Sequence, residues 1–341
     1  MLVSGNRLPC GLRLRNGVSA LALVCLCTAA APVAANGTYT TFDPAGSVQT
    51  WPESINDGGS IAGWYTDGSN ATHGFVRAAD GTITGFDAAG SGGTEAQSIN
   101  VKGAIAGYYI DSKSVAHGFV RSPAGKIATF DPAGSAGTFA LAINKGGAVT
   151  GYYDSKSIAH AFLRTAKGTI RVFDVPGSTG TSAAAINDAG SIAGFYIAND
   201  GGHGFVRASN GTYAIFDPPG SVFTEPFAIN AAGWVTGTWL DAAYIHHGFV
   251  RSAGGAITAF DPAQSADTEP RSIDAKGTAA GFFYLGGGGS YGFVRAPGGK
   301  ITRLNAENLD STEAIAINTS GAVTGDYAEG AETYHGFLWT R

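Results

Sequence analysis

Residues 54–63 read Ser54-Ile-Asn-Asp-Gly-Gly-Ser-Ile-Ala-Gly63, which is the end of an apolar strand, a tight turn and the start of a second strand. The stretch recurs with a period of 43 or 44 residues, marked by a turn residue at Asn56, Asn100, Asn144, Asn187, Asn230, Asp274 and Asn318. A fixed period of this length is typical of propellers and other repeat architectures. The repeat therefore predicts the fold, but it says little about chemistry.

Each copy holds four strand patterns separated by short turns. In the first copy, a turn at 57–59 leads into a strand at 60–65, His73-Gly-Phe-Val-Arg77 forms a third strand, and a turn at 78–81 leads into a strand at 82–87. Glycine ends both turns, as a hairpin position with positive φ requires. We therefore predict an all-β fold in which each copy is a four-stranded antiparallel blade.

The two ends of the sequence hold complementary parts of one copy. Residues 38–43 match only the fourth strand of a copy, and residues 334–339 match only the third. Pairing them would remove two exposed strand edges. We therefore predict that residues 36–341 form a seven-bladed β-propeller, closed by pairing the N-terminal strand with the last blade.

Residues 1–35 have the pattern of a secretory signal peptide. A basic segment precedes an apolar run at 18–31, and small residues at 33–35 provide a cleavage site. The apolar run is shorter than the roughly 20 residues that a membrane-spanning helix needs. We expect cleavage, a secreted or periplasmic protein, and no membrane insertion after the signal is removed.

Charge and cysteine content limit the partners. The full chain has a formal net charge of −5, and loss of Arg7, Arg13 and Arg15 with the signal would leave −8. An acidic protein without a basic stripe is not expected to bind nucleic acid. The three cysteines also lie in the signal segment, so we expect the remainder to fold without disulfides. We expect it to be a monomer.

The third strand and the asparagine turn together resemble the HAF-repeat family of bacterial secreted proteins. The strand motif stands as His160-Ala161-Phe162-Leu163, and the turn as Ala185-Ile186-Asn187-Asp188-Ala189-Gly190. Five copies have Gly in place of the Ala, and the sixth reads Tyr291-Gly292-Phe293. The resemblance covers residues 38–341. It implies a β-propeller fold and export, but it implies no catalytic residue.

Six of the seven histidines occupy one position of the repeat, and an aspartate follows each of the first five by 14 residues. Such pairs resemble catalytic dyads or metal ligands. An active site needs only one such set, however, so we interpret the pairs as a buried structural network. Its members are His73 with Asp87, His117 with Asp131, His160 with Asp174, His203 with Asp217, His247 with Asp261 and, on closure, His335 with Asp43. No zinc-ligand spacing or calcium loop occurs, and we expect no metal and no cofactor.

The candidate ligand-binding residues are those at which the copies differ. If all copies were identical, each would present the same surface to a ligand. A specific binding site is therefore expected where bulky or charged residues depart from the repeat. We therefore predict a site on the face that bears the blade-to-blade loops, which would carry Trp51, Phe223, Glu225, Phe227, Glu269, Arg271 and Glu313. Acidic groups beside aromatic rings suit a neutral or cationic ligand, and a saccharide in particular.

Two functions from different classes are consistent with these residues. The first is a non-enzymatic binding or scaffold module for an extracellular glycan or small molecule, which the regular repeat and the lack of a nucleophile constellation favour. The second is a secreted glycan hydrolase or lyase in which Glu225, Glu269 and Glu313 act as acid and base. A solvated rim without function is a third interpretation of these glutamates. A carboxylate pair about 5–10 Å apart in a cleft, with one pKa raised, would favour the enzyme.

Overall fold

A computed structural model describes residues 37–305, 311–330 and 333–341. The predicted signal peptide at 1–35 lies outside the described residues. Those residues contain 28 β-strands, and they include no helix long and apolar enough to cross a membrane. The prediction of an all-β fold is therefore confirmed.

The strands in chain order are β1 (Thr38–Phe42), β2 (Ser47–Ile55), β3 (Ile61–Asp67), β4 (Thr72–Arg77), β5 (Ile83–Phe86), β6 (Ser91–Ile99), β7 (Ile105–Asp111), β8 (Ala116–Arg121), β9 (Ile127–Phe130), β10 (Gly137–Ile143), β11 (Val149–Ser155), β12 (Ile158–Arg164), β13 (Ile170–Phe173) and β14 (Gly180–Ile186). They continue with β15 (Ile192–Ala198), β16 (Gly201–Arg207), β17 (Tyr213–Phe216), β18 (Phe223–Ile229), β19 (Val235–Leu240), β20 (His246–Arg251), β21 (Ile257–Phe260), β22 (Ser265–Ile273), β23 (Ala279–Leu285), β24 (Ser290–Arg295), β25 (Ile301–Leu304), β26 (Thr312–Ile317), β27 (Val323–Glu329) and β28 (Thr333–Thr340).

The described strands pair as antiparallel groups of four. Six groups are consecutive in the chain, from β2–β5 to β22–β25, and each strand in a group pairs with the next. In a seventh group, β26, β27 and β28 pair in order, and β1 pairs with β28, so that Thr38 lies opposite Thr340. The predicted pairing of the two end segments is therefore observed. The first strand of each group contacts the first strand of the next, and β26 contacts β2.

The repeated asparagine connects neighbouring groups as well as closing its own turn. Asn56 Oδ1 accepts a hydrogen bond from the backbone N–H of Ser60 at 2.9 Å, and Asn56 Nδ2 donates to the backbone oxygen of Asn100 in the next group at 3.0 Å. The same inter-group bond is made by Asn100, Asn144, Asn187, Asn230 and Asn318, the last of which donates to Asn56. Asp274 stands at this position in the sixth group, and a carboxylate has no hydrogen to donate.

A phenylalanine of the third strand fills the space between groups. Phe75 and its equivalents are fully buried. The arginine two residues later extends to the fourth strand of the preceding group, so that Arg77 Cζ lies 5.1 Å from the centre of the Phe42 ring. At the junction of the sixth and seventh groups both partners change. Trp339 of the seventh group replaces the arginine, Leu304 of the sixth group replaces the fourth-strand phenylalanine, and the two side chains are buried in one apolar cluster. The two replacements together keep the contact between groups.

The glycine in the middle of each second strand is required by a close approach of two backbones. A Cβ at Gly63 would lie 2.1 Å from the backbone oxygen of Trp51 on the neighbouring strand. The first strand bulges at this level, where its register shifts between Pro52 and Ser54. These glycines are therefore sites of close packing between strands.

Candidate ligand-binding site

The seven predicted ligand-binding residues lie on first strands, so their predicted location in loops between blades is wrong. Trp51 lies in β2, Phe223, Glu225 and Phe227 lie in β18, Glu269 and Arg271 lie in β22, and Glu313 lies in β26. The cause is the length of the first strand, which begins near Ser47 in the first group and not near Glu53. The side chains therefore project from strands that contact one another, which holds them more rigidly than loops would.

Three glutamates occupy one repeat position in consecutive groups. Glu225, Glu269 and Glu313 each follow a buried threonine on the first strand, and all three side chains are half-buried. Burial raises the pKa of Glu225 to about 7, with Arg271 opposing the shift and Glu269 adding to it. Burial also raises the pKa of Glu269, with Arg271 and His246 opposing and Glu313 adding. The three carboxylates therefore lie within electrostatic range of their neighbours.

Arg271 joins two of the other predicted residues. Its guanidinium carbon lies 4.3 Å from the centre of the Phe227 ring, and Arg271 Nη1 lies 3.7 Å from Glu269 Oε2. The cation therefore sits between an aromatic ring of the fifth group and a carboxylate of its own group. The structure thus brings together Glu225, Phe227, Glu269 and Arg271, as the sequence analysis expects of a common site.

Two of the predicted aromatic residues, Trp51 and Phe223, contact other rings at two other places. Trp51 stacks on Trp64 at a centroid distance of 3.9 Å and on Tyr334 of the last group at 5.9 Å. Phe223 contacts Phe195 of the preceding group at a centroid distance of 5.4 Å. Trp51 therefore extends the site towards the last group, whereas Phe223 packs towards the fourth group.

A cavity of about 210 Å³ lies between the sixth and seventh groups. Tyr284 and Ser290 line it from the sixth group, and Ser311, Glu313, Asp326 and Tyr334 line it from the seventh. Tyr284 donates a hydrogen bond from its hydroxyl to Glu313 Oε1 at 3.3 Å. Asp326 is 2 % exposed and lies directly opposite Glu313 on the adjacent strand. Of the seven predicted residues, Glu313 is the one in this lining.

Asp326 and Tyr284 are absent from the predicted site, although the repeat contains a signal for the first. The position of Asp326 in the other copies is occupied by Trp64, Tyr108, Tyr152, Phe195, Thr238 and Phe282. A change from a large ring to a carboxylate is a departure from the repeat, and such departures are the criterion by which the site residues are predicted. It is missed because the predicted site is confined to the segments between blades, whereas Asp326 lies on a second strand.

Another glutamate on the same strand position is also buried. Burial raises the pKa of Glu95 to about 7, opposed by a hydrogen bond from the hydroxyl of Tyr108. Tyr108 is its register partner on the second strand. Glu95 shares the repeat position of the three predicted glutamates and is expected on the same face, but it is not among the predicted ligand-binding residues; the tyrosine explains how its carboxylate is accommodated.

The six histidine–aspartate pairs are adjacent, as the spacing predicts. The distances from His Nδ1 to the nearest aspartate oxygen lie between 2.7 and 2.9 Å in all six pairs. Thr50 donates to Asp43 at 2.6 Å, so the repeated threonine takes part. The prediction that the pairs are buried is wrong, because the His117 and Asp131 side chains are 24 % and 35 % exposed. Their structural role stays a prediction.

Several of these histidines contact a second carboxylate through the other ring nitrogen. Nε2 of His203 lies 3.1 Å from Asp200 Oδ1, and Nε2 of His335 lies 3.3 Å from Glu329 Oε2. In the described part of the chain, no group of three or more His, Cys, Asp and Glu side chains is arranged to hold a metal ion.

No protein-family model and no curated relative matches this sequence. Among solved structures, the chain is similar to a streptogramin B lyase, with a TM-score of 0.60, 16% identity, and coverage of 89% of this chain and 97% of that one. It is also similar to a catalytically inactive variant of virginiamycin B lyase from Staphylococcus aureus with quinupristin (TM-score 0.62, 15% identity, 90% and 100% covered). A third match is TolB from Acinetobacter baumannii (TM-score 0.54, 11% identity, 72% and 66% covered). At these identities the likeness shows the fold alone, which is β-propeller-like.

Proposed function

We propose that this protein is an exported, monomeric β-propeller of seven blades, related to the HAF-repeat proteins, that binds a small polar ligand at one mouth of its central channel. Export rests on the signal pattern of residues 1–35 and on the family resemblance. The seven four-stranded groups are the blades.

One pairing within the last group and two contacts between the last and first groups support closure of the ring. The first is the pairing of β1 with β28. The second is the hydrogen bond of 3.1 Å from Asn318 Nδ2 to the backbone oxygen of Asn56. The third is the Arg77 guanidinium over the Phe42 ring, which is the contact that Arg121 makes with Phe86 between the first and second blades. The junction between the last and first blades therefore uses the same two contacts as the junction between the first and second blades.

The carboxylates of Glu225, Glu269 and Glu313 are the observation that carries the binding role. Removing a carboxylate from water costs free energy even where a partner is present. The fold does not require an acid at this position, because Trp51, Phe139 and Ser182 occupy it in other copies. A run of half-buried acids beside Arg271 and Phe227 is therefore better explained by a ligand than by packing.

The raised pKa values support an acid–base enzyme as the second candidate. A carboxyl group with a pKa of about 7, as burial gives Glu225, can both donate and accept a proton near neutral pH. A second carboxylate, Glu269, lies within electrostatic range of it. On this alternative the protein is a glycan hydrolase or lyase, with Glu225 as general acid and Glu269 as base.

A glycan array and a general glycan hydrolase and lyase screen on the same preparation test both candidates. We expect the array to detect a ligand whose binding falls by about tenfold or more in Phe227→Ala and Glu269→Gln. Lys145→Ala, in an exposed turn at the other end of the strands, is the control and should bind like the parent. If binding of the ligand is unchanged in Phe227→Ala and Glu269→Gln but falls in Lys145→Ala, the site lies elsewhere. Turnover that Glu225→Gln abolishes, with binding retained, would establish the enzyme.

A further inference from the structure

We propose that the cavity between the sixth and seventh groups binds a compact hydroxylated ligand that carries an ammonium group, of which an amino sugar is the simplest class. This inference rests on the proposed binding function and names the ligand class for part of that face.

The cavity lies where a replacement in the repeat removes an aromatic ring. In five of the other six copies the position of Asp326 holds an aromatic ring, and that ring lies beside the first-strand residue opposite to it, as Trp64 does beside Trp51 at 3.9 Å. In the last group a short carboxylate takes the place of the ring. The space of about 210 Å³ is therefore a specific departure from the repeat and not a general property of the fold.

The carboxylates of Glu313 and Asp326 favour a cationic ligand in the cavity. Glu313 and Asp326 are register partners on adjacent antiparallel strands, where Cβ atoms lie about 4.5–5.5 Å apart and like charges destabilise the sheet. The described residues that line the cavity include no lysine, arginine or histidine. An ammonium group placed between the two carboxylates would relieve their repulsion, whereas an anionic ligand would increase it.

The other lining groups suit a sugar ring. Ser290 and Ser311 bring hydroxyl groups that can donate to or accept from a polyol. The Tyr334 ring stacks on Trp51 and is therefore held in a fixed orientation, which favours contact with a cation or with the apolar face of a pyranose. A cavity of this size is below the range of about 300–1,000 Å³ that is usual for drug-sized ligands, so it fits a single ring.

The same junction is where the repeat changes most. Asp274 ends the series of asparagine links there, and the histidine and aspartate of the sixth copy are replaced by Tyr291 and Asn305. Arg303 lies over the Tyr291 ring, with Cζ 3.3 Å from its centre, in place of the usual pair. Tyr291 directly follows Ser290 of the cavity lining, whereas Asp274 lies in the turn at the other end of the strands. These departures are not needed by a seven-fold scaffold, and they agree with a local role.

Titration calorimetry at about pH 6 with glucosamine and N-acetylglucosamine tests the inference, because acetylation removes the ammonium charge and keeps the ring. We expect glucosamine to bind weakly, on the order of 1 mM, and the acetylated sugar at least about tenfold more weakly. Asp326→Asn and Glu313→Gln should each weaken glucosamine by about tenfold. Asp326→Phe restores the ring found in other copies, so it should fold as well as the parent and abolish the binding.

Three results would overturn the inference. They are no glucosamine binding, equal binding of the two sugars, or glucosamine binding that survives Asp326→Phe while Lys145→Ala behaves like the parent. A neutral glycan that binds through Phe227 and Glu269 in the array would leave the proposed function standing while this inference fails. A blank array together with glucosamine binding that Asp326→Phe abolishes would confine the binding role to this cavity.

Discussion

Phe42 gives a direct test of ring closure, because it is the main apolar contact that β1 makes with the rest of the chain. Phe42 is 8 % exposed, its ring centroid lies 6.1 Å from that of Phe75, and Arg77 Cζ lies 5.1 Å from its centre. Phe216 occupies the same repeat position inside the chain. It is also 8 % exposed, with Phe249 at 5.7 Å and Arg251 Cζ at 4.8 Å. The two phenylalanines are therefore a matched pair.

We expect Phe42→Ala and Phe216→Ala to lower the free energy of unfolding by similar amounts, about 3–5 kcal/mol each. The area argument agrees, because about 150–200 Å² of buried aromatic surface at about 25 cal/mol per Å² gives about 4–5 kcal/mol. Urea unfolding followed by tryptophan fluorescence measures both changes, and an unchanged dependence on urea would show that the same surface is exposed in each variant.

The two variants separate closure from ordinary core packing. If β1 is not docked in solution, Phe42→Ala will cost less than about 1 kcal/mol, as exposed substitutions do, while Phe216→Ala keeps its full cost. That result would refute the argument that the two end segments complete one blade. If both changes are nearly neutral, the packing analysis of the fourth strand itself is wrong.

Two further predictions follow from repeated features. Asp274→Asn keeps the oxygen that accepts from the backbone N–H of Thr278 at 2.7 Å, and it adds a donor towards the carbonyl of Asn318. We therefore expect this change to stabilise the fold by about 0.5–1.5 kcal/mol in thermal melting, and an equal or lower melting temperature would contradict the expectation. The hydrogen bond with Asp131 raises the pKa of His117 against burial, so the protonated form favours the folded state below the unfolded pKa of about 6.5, and this contribution is lost as the pH rises through the folded pKa. His117→Gln should therefore lower the free energy of unfolding in urea at pH 6 by less than about 1 kcal/mol, because the pair is partly exposed, and change it little at pH 8; an equal loss at both pH values would count against the charge argument.

Much of the fold can be predicted because the period repeats local signals that are individually weak. The asparagine turn, the glycines and the histidine strand recur together, so the strand order within a group follows from any one copy. The pairing of β1 with β28 is predictable because each end holds a pattern that the other lacks. The inter-group role of Asn56 is missed, because a turn explains an asparagine and the sequence does not show which backbone oxygen lies beyond it.

The candidate site is less predictable for a reason of geometry. The segments before Trp51, Glu225 and Glu269 are rich in small and turn-forming residues, so they resemble loops in sequence. The bulge between Pro52 and Ser54 also interrupts the alternation of polar and apolar residues that would indicate a strand. Which residues of one copy meet those of the next depends on how the groups stack. The partnership of Glu313 with Asp326 and Tyr284 therefore becomes visible only in three dimensions.

The missing amide donor at Asp274 leaves the junction between the sixth and seventh described groups without the asparagine hydrogen bond that the other junctions have. That junction depends instead on the packing of Leu304 with Trp339 and on the hydrogen bond of 3.3 Å from the backbone N–H of Ile317 to Ser272 Oγ. The ligand proposed for the cavity at this junction would contact Tyr284 on one side and Glu313 and Asp326 on the other. Its binding free energy would add to the free energy of unfolding, so occupancy by a small molecule would be coupled to the lifetime of the folded protein.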